Sequence, residues 1–299
     1  MTTILITGKN GQVGFELQRS LAILGDIVAI DQPDCDFTDP AAIRRLMAQI
    51  KPDVVVNPAA YTAVDKAESD PSLANAINAD APRVLGEEAA KTGALVIHYS
   101  TDYVFDGTKS SAYVESDQPN PKSVYGKTKY DGEVALVQSG AKHLIFRTSW
   151  VFGAHGANFV KTILRLAAER DALNIVADQH GAPTSAALLA DITAHVLARY
   201  LKTKQQDLPA FPYGLYNLVA GGQTTWCDFA KAIVAAANQS GTSTKASAET
   251  IRPITTADYP LPAPRPSNSL LDTSKLKNTF GLQLPEWQHG LEHTLALIL

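Results

Sequence analysis

Tyr125 and Lys129, four residues apart in YGKTK, can share one face of a helix with Cβ atoms about 5–6 Å apart. A phenol titrates near ~10 in water, so at neutral pH it is a poor base and a slow acid. An ammonium beside it favours the phenolate and draws the titration toward the working range. Just upstream, the apolar run ALVIHYS delivers Ser100, Thr101, Asp102 and Tyr103 to a strand end. There the hydroxyls of Ser100 and Thr101 can hold a substrate oxygen. Tyr-x-x-x-Lys by itself describes many solvated helix faces, so the surrounding elements decide whether the pair does chemistry.

The first of those elements opens the chain. TILIT (3–7) reads as a buried strand, Gly8 ends it, and FELQRSLAIL follows with helical periodicity. Between them, Gly8, Gly11 and Gly14 are spaced G-x-x-G-x-x-G. Glycines there let the backbone approach a pyrophosphate, whose charge is met by unpaired N–H groups at the helix start. The expectation is dinucleotide binding. The strand DIVAI ends at Asp31, about 20 residues beyond the turn, where a carboxylate would bind a ribose 2′-hydroxyl. Asp31 disfavours a 2′-phosphate and Lys9 can offset it, which leaves NADH and NADPH both open. Thr38 or Asp39 is the expected N-cap of AAIRRLMAQI, and Asp36 with Phe37 edges an adenine pocket unless Phe37 is simply core.

PDVVVN is a continuous buried strand, as in a parallel sheet. It leads into Pro58, Ala59, Ala60, Tyr61 and Thr62, small groups that let a ligand lie against the backbone. A helical stretch with a break at Asp70–Pro71 follows, with Lys66 and Glu68 read as solvated charges. Residues 106–123 form a polar surface excursion leading into the Tyr125 helix. HLIFRTSWVFG is a further apolar strand ending at Trp150. Prolines 260, 262, 264 and 266 hold a stiff, extended segment around Arg265, suited to recognising a phosphate. The expected fold is α/β: a doubly wound Rossmann-type parallel sheet with a smaller, interleaved C-terminal substrate-binding lobe. Residues 1–150 make the NAD(P)-binding domain, with 186–220 returning to it, and residues 151–185 and 221–299 make the lobe.

Composition narrows the function. With 45% hydrophobic and 19% charged residues the chain reads as an ordinary globular protein, and a net charge of −4 offers no footprint for nucleic acid. No run approaches the ~20 apolar residues of a membrane span. The N-terminus lacks a signal-peptide pattern, so the expected location is cytoplasmic. Cys35 and Cys227 form no metal or disulfide pattern and are expected to be buried.

Taken together, GxxGxxG, NPAAYTAVDKAE, HYSTDYVFDG, YxxxK, RTSWVFG, DQHGAPT and RPSNSLLD resemble the extended short-chain dehydrogenase/reductases. More narrowly, they resemble the dTDP-4-dehydrorhamnose reductases. The resemblance implies reduction of a C4 keto group on a nucleotide-sugar substrate with NADPH or NADH, for polysaccharides such as O-antigen. It makes Tyr125 the acid that protonates the C4 oxygen. Lys129 would lower the Tyr125 pKa and bind the nicotinamide ribose, and Thr101 would hold the same sugar oxygen. Gly8, Gly11, Gln12 and Val13 fall to the pyrophosphate, Asp31, Asp36 and Phe37 to the adenosine half, and Ala59, Ala60 and Tyr61 to the nicotinamide side. Asp102, Tyr103 and Trp150, with Ser100, would line the sugar pocket; Arg265 and Asn268 would reach the diphosphate. His98 is read as packing, and Trp150 has a rival reading as a core aromatic. Some relatives form homodimers bridged by Mg²⁺ on glutamates. Glu16 matches one such position, but Ala187 replaces the next, so no metal ligand is assigned. The rival functions are a nucleotide-sugar epimerase or dehydratase, and a non-catalytic regulatory subunit of the methionine adenosyltransferase type. Tyr103 in place of a second carboxylate after Asp102 argues against the dehydratase, and the intact Tyr125, Lys129 and Thr101 argue against the regulator.

Overall fold

The computed structural model describes residues 2–205 and 210–299; Met1 and residues 206–209, the latter within the 186–220 stretch, lie outside the described residues. In chain order the first half contains β1 (Thr3–Ile6), α1 (Gln12–Leu21), β2 (Asp26–Ala29), α2 (Pro40–Ile50), β3 (Val54–Asn57), α3 (Val64–Ser69), α4 (Pro71–Asn75), α5 (Ala81–Thr92), β4 (Leu95–Thr101), α6 (Val124–Gln138) and β5 (Lys142–Thr148). The second half adds β6 (Val151–Phe152), α7 (Phe159–Glu169), β7 (Leu173–Val176), β8 (His180–Gly181), β9 (Thr184–Ser185), α8 (Ala186–Gln205), β10 (Gly214–Asn217), β11 (Thr224–Thr225), α9 (Trp226–Gln239), β12 (Ile251–Ile254), α10 (Ser274–Phe280) and α11 (Trp287–Ile298).

Local chemistry sets several of these boundaries. Asp39 caps α2 by accepting from Ala41 N, with Pro40 supplying the pre-set first turn. Asp70 ends α3 and caps α4 by accepting from Leu73 N, which puts the break at Asp70–Pro71. Ser123 caps α6 by accepting from Gly126 N at 3.1 Å. Between α4 and α5 the helix widens into a π turn at Ala76–Asp80, a feature with no sequence signal of its own.

Six strands form one parallel sheet in the order β2–β1–β3–β4–β5–β10. Alternate strand residues face two different cores. Ile4, Ile6, Val54, Val56, Leu95 and Ile97 pack with α1 and α8, whereas Leu5, Val55, Val96 and Ile145 pack with α2, α5 and α6. That both faces are covered explains the continuous apolar runs in the sequence. A separate core joins α7, α9 and α11 through Ile163, Phe229, Ile233, Trp287 and Leu291, while Leu276 and Phe280 of α10 return to the main sheet. The chain reverses direction across the sheet between β1 and β3, and at such a switch point ligands settle beyond the strand carboxyl ends. No helix among the described residues is long and apolar enough to cross a membrane, and both cysteines are buried.

Candidate active site

A cavity of about 650 Å³ opens at that switch point. Its wall runs from Gly8, Gly11, Gln12 and Val13 past Asp31, Asp36 and Phe37, then along Ala59, Ala60 and Tyr61 to Ser100, Tyr125, Lys129 and Thr148. The structure thus brings the expected dinucleotide residues and two of the three expected catalytic residues to one surface. Gly8 has φ +60, and a Cβ there would lie 3.1 Å from Ala59 Cα, so the β1 and β3 ends meet only through glycine. Gly14 packs closer still: its added Cβ would stand 2.0 Å from Gly8 O. Gly11 caps α1 without a side-chain partner, which leaves the first N–H groups of the helix facing the cavity mouth. These features fit a dinucleotide, with its pyrophosphate on the turn.

Asp31 accepts from Asn10 N at 3.0 Å and from Gln32 N at 2.8 Å, so its carboxylate is oriented at the cavity edge. Lys9 does not offset it. The Lys9 ammonium is 2.7 Å from Asp34 instead, and holds that carboxyl below its ordinary range together with the Asp31 N–H. Phe37 lines the cavity and also packs on the core below.

Tyr125 sits on the first turn of α6, with its hydroxyl near enough to the Thr101 side chain to feel it. Burial pushes the phenol up to about 12; the Thr101 side chain opposes the rise and the Asp102 charge adds to it. The expectation that Lys129 lowers this pKa is not met in the ligand-free site. Lys129 donates to Tyr99 O at 2.6 Å and lies 3.4 Å from His98 Nε2, and burial pushes the amine itself down to about 8 against the pull of Glu133. His98 is more than packing. It has no exposure, and its ring joins Lys129 to Asn57, whose Nδ2 is 3.0 Å from Nδ1.

Ser100 departs from its expected role. It lines the cavity, but its hydroxyl donates at 2.5 Å to Glu133. Glu133 is 4% exposed and takes two bonds from Arg147, at 2.8 and 2.6 Å. This buried pair ties α6 to β5 behind the site. Glu68, read as solvated, accepts from Val124 N at 2.8 Å and so helps start α6. Asn78, in the π turn, holds Tyr61 through both its N–H and its C=O and donates to Thr128 of α6. Thr148 lines the cavity with a buried hydroxyl that has no partner among the described residues. Asn78 and Glu133 lie outside the motifs quoted from the sequence, and Arg147 and Thr148 open RTSWVFG without a role being read for either.

Asp102 is 3% exposed and accepts from Thr101 Oγ1 at 2.9 Å, while its Oδ2 has no partner among the described residues. Burial raises its carboxyl to about 6. Tyr103 meets Tyr125 edge-on, with centroids 5.5 Å apart, and burial raises its phenol above the ordinary range. Trp150 has φ +49 and stacks on Trp226 at 3.6 Å, while Gly181 lies so close that a Cβ would fall 2.5 Å from the indole. Its ring is held by both contacts, and Trp226 is a partner the sequence did not announce. Arg265 donates to Asp65 at 2.7 Å and to Ala263 O at 3.1 Å. Asn268 is not brought to the site as a free side chain: it donates to Lys109 O and Ser111 O and accepts from Leu270 N, so its amide is spent on holding two loops together.

Glu16 and Ala187 line a second cleft, together with His289 and His293. There Glu16 pairs with Arg19 at 3.5 Å, and Ala187 brings no side-chain oxygen. Among the described residues no group of three or more His, Cys, Asp or Glu side chains is placed to hold a metal. Of the two positions, Glu16 alone offers a carboxylate.

Comparison with known proteins finds relatives over the full length of the chain. Residues 1–299 match the family described as the RmlD substrate binding domain. The chain is 49% identical over 288 residues to a dTDP-4-dehydrorhamnose reductase of Burkholderia thailandensis, covering 96% of each. Among solved structures it is similar to a dTDP-4-dehydrorhamnose reductase from Clostridium acetobutylicum, with TM-score 0.88, 37% identity and 99% coverage of both chains. The Bacillus anthracis enzyme of the same name, solved in complex with NADP, gives TM-score 0.87, 35% identity and 99% coverage of both.

Proposed function

The chain belongs to the family of the RmlD substrate binding domain, and on that premise we infer that it is an NAD(P)H-dependent dTDP-4-dehydrorhamnose reductase. It reduces the C4 keto group of dTDP-4-dehydro-β-L-rhamnose to dTDP-L-rhamnose, the last step of dTDP-rhamnose biosynthesis. One juxtaposition supports the roles of the individual residues. Tyr125, beside Thr101, shares a wall with Lys129 in a cavity that begins on the glycine turn.

Reduced nicotinamide, when bound, supplies hydride to C4. The glycine turn with Gln12 and Val13 would hold its pyrophosphate, Asp31 the adenosine ribose, Asp36 and Phe37 the adenine, and Ala59 to Tyr61 the nicotinamide side. Because burial pushes the Tyr125 phenol up to about 12, the phenol carries its proton at neutral pH and serves as an acid. That proton passes from the phenol oxygen to the C4 oxygen, and Thr101 steadies the same oxygen. Lys129, still mostly ammonium at neutral pH with a pKa of about 8, then faces the phenolate that remains. Asp102, Tyr103 and the clamped Trp150 would line the sugar. Arg265 would exchange Asp65 for the nucleotide diphosphate.

The division of labour between residues 1–150 with 186–220, and 151–185 with 221–299, is part of the same proposal, as is a cytoplasmic setting where NAD(P)H is regenerated. Any homodimer would form without a bridging metal, because Ala187 contributes no oxygen; light scattering with and without chelator checks this. The deciding assay generates the ketosugar in place with the upstream dehydratase and epimerase and follows NADPH and NADH absorbance separately. Oxidation that depends on the epimerase is the expected result. Protein that binds cofactor yet oxidises neither one overturns the reading.

A further inference from the structure

Behind Lys129 lies a row of side chains that the reaction does not use. Thr7 directly follows β1, Asn57 ends β3, and His98 sits next to Asn57 in the β3–β4 register. All three are buried to 1% exposure or less. Thr7 Oγ1 accepts from Ala59 N at 3.2 Å and donates to Asn57 Oδ1 at 2.6 Å. Asn57 Nδ2 then faces His98 Nδ1 at 3.0 Å, and His98 Nε2 faces Lys129 Nζ at 3.4 Å.

The direction of the row follows from its first member. Among the described residues, Asn57 Oδ1 is the acceptor to which the Thr7 hydroxyl donates. Turning the Asn57 amide over would make Thr7 Oγ1 accept twice and strand its own proton in a fully buried site. With the amide as it stands, Asn57 Nδ2 donates to Nδ1 and the neutral ring's proton falls to Nε2, while the Asn57 backbone acts the other way, favouring the protonated ring. Burial and the neighbouring Lys129 charge keep the ring neutral, holding His98 well below its ordinary range. The Nε2–H therefore points at Nζ, a good donor for an amine and a poor neighbour for an ammonium.

We propose that His98 is a positioning residue for Lys129: the Thr7–Asn57–His98 row fixes the Nε2–H tautomer and thereby biases Lys129 toward the neutral amine. Other groups act on Lys129 in known directions. Glu133 on the same helix favours the ammonium but is itself paired with Arg147 of β5. From β4, Tyr99 offers its carbonyl; Tyr125, on α6, is a neutral phenol at working pH. The row ends at a backbone N–H, so it sets a bias and does not carry a proton away. Its consequence for turnover rests on the reductase reading; the tautomer itself does not.

The test is ¹⁵N NMR of histidine-labelled, ligand-free protein, with Thr7→Val as the principal variant because it removes one hydroxyl at nearly constant shape. In the wild type, His98 should show an unprotonated Nδ1 and a protonated Nε2 at neutral pH, and its signals should shift as Lys129 titrates. In Thr7→Val the amide is free to turn, so the tautomer should switch and the Lys129 titration should rise by about one pH unit, a tenfold change in its ammonium-to-amine ratio. The alkaline limb of kcat/KM should rise with it, and His98→Leu should move that limb the same way. A wild-type Nδ1–H tautomer overturns the proposal, and so does a Lys129 titration that stays put or falls in Thr7→Val. If the wild type shows no turnover, the NMR arms still decide it.

Discussion

Replacing Lys129 by methionine should abolish efficient turnover and at the same time make the ligand-free protein more stable. Lys129 is 2% exposed and its amine is held at about 8 instead of the ordinary 10.5, chiefly by burial. At pH 7 the folded protein therefore carries an ammonium that costs about 3 kcal/mol more than it does in the unfolded chain. Methionine keeps a long apolar stem and removes that charge. It also leaves Tyr99 O without its partner, a loss of about 1 kcal/mol. The net gain is about 2 kcal/mol, which for a chain of this length is about 3 °C in Tm.

The pH dependence separates this origin from ordinary packing. Because the folded pKa lies below the unfolded one, the unfolded chain binds more protons between about 8 and 10.5, and wild-type stability rises with pH across that window. The advantage of Lys129→Met should be full below pH 8, shrink above it, and reverse near pH ~10. Urea unfolding of both proteins without cofactor, followed by circular dichroism at several pH values, measures it. A variant less stable at pH 7, or an offset that is the same at every pH, would refute the reasoning.

Tyr125→Phe removes the proton donor but leaves the cavity wall, so kcat should fall by about 10²–10⁴ with cofactor affinity within about twofold; turnover surviving within tenfold, about 1.4 kcal/mol, sinks the assignment. Asp31→Ala should weaken NADH about tenfold more than NADPH in fluorescence titrations, because a carboxylate binds a ribose hydroxyl and repels a phosphate; equal losses defeat it. Glu133→Gln leaves the guanidinium of Arg147, 2% exposed, without a counter-charge and should cost about 3–5 kcal/mol in urea unfolding, and a loss below about 1 kcal/mol would contradict a buried pair. Asp102 is raised from 3.8 to about 6, so the folded protein holds the extra proton and wild-type stability should decline as pH rises through that interval. Asp102→Asn should flatten the slope, and an unchanged slope places its origin elsewhere.

What could be read beforehand follows from which contacts are local in the chain. The glycine turn, the Asp70–Pro71 break, the Ser100–Tyr103 strand end and the Tyr125–Lys129 spacing each involve residues within a turn or two of one another, and each stands where its spacing placed it. The misread residues are those whose partners are remote. Ser100 looks like a free hydroxyl until Glu133, 33 residues away, takes it; Asn268 looks like a ligand-binding amide until Lys109 and Ser111 claim it. Lys9 could reach Asp31 or Asp34, and only the loop geometry chooses. The Tyr125 phenol is the sharpest case. Spacing puts an ammonium on its helix face, but a neighbour at i+4 lowers a pKa only where its charge points, and Nζ points at Tyr99 O. Burial, a property of the assembled sheet, then decides the sign. On the proposed roles, the site would bind substrate with the Tyr125 phenol already protonated, and the lysine that would later face a phenolate is itself held close to losing its charge.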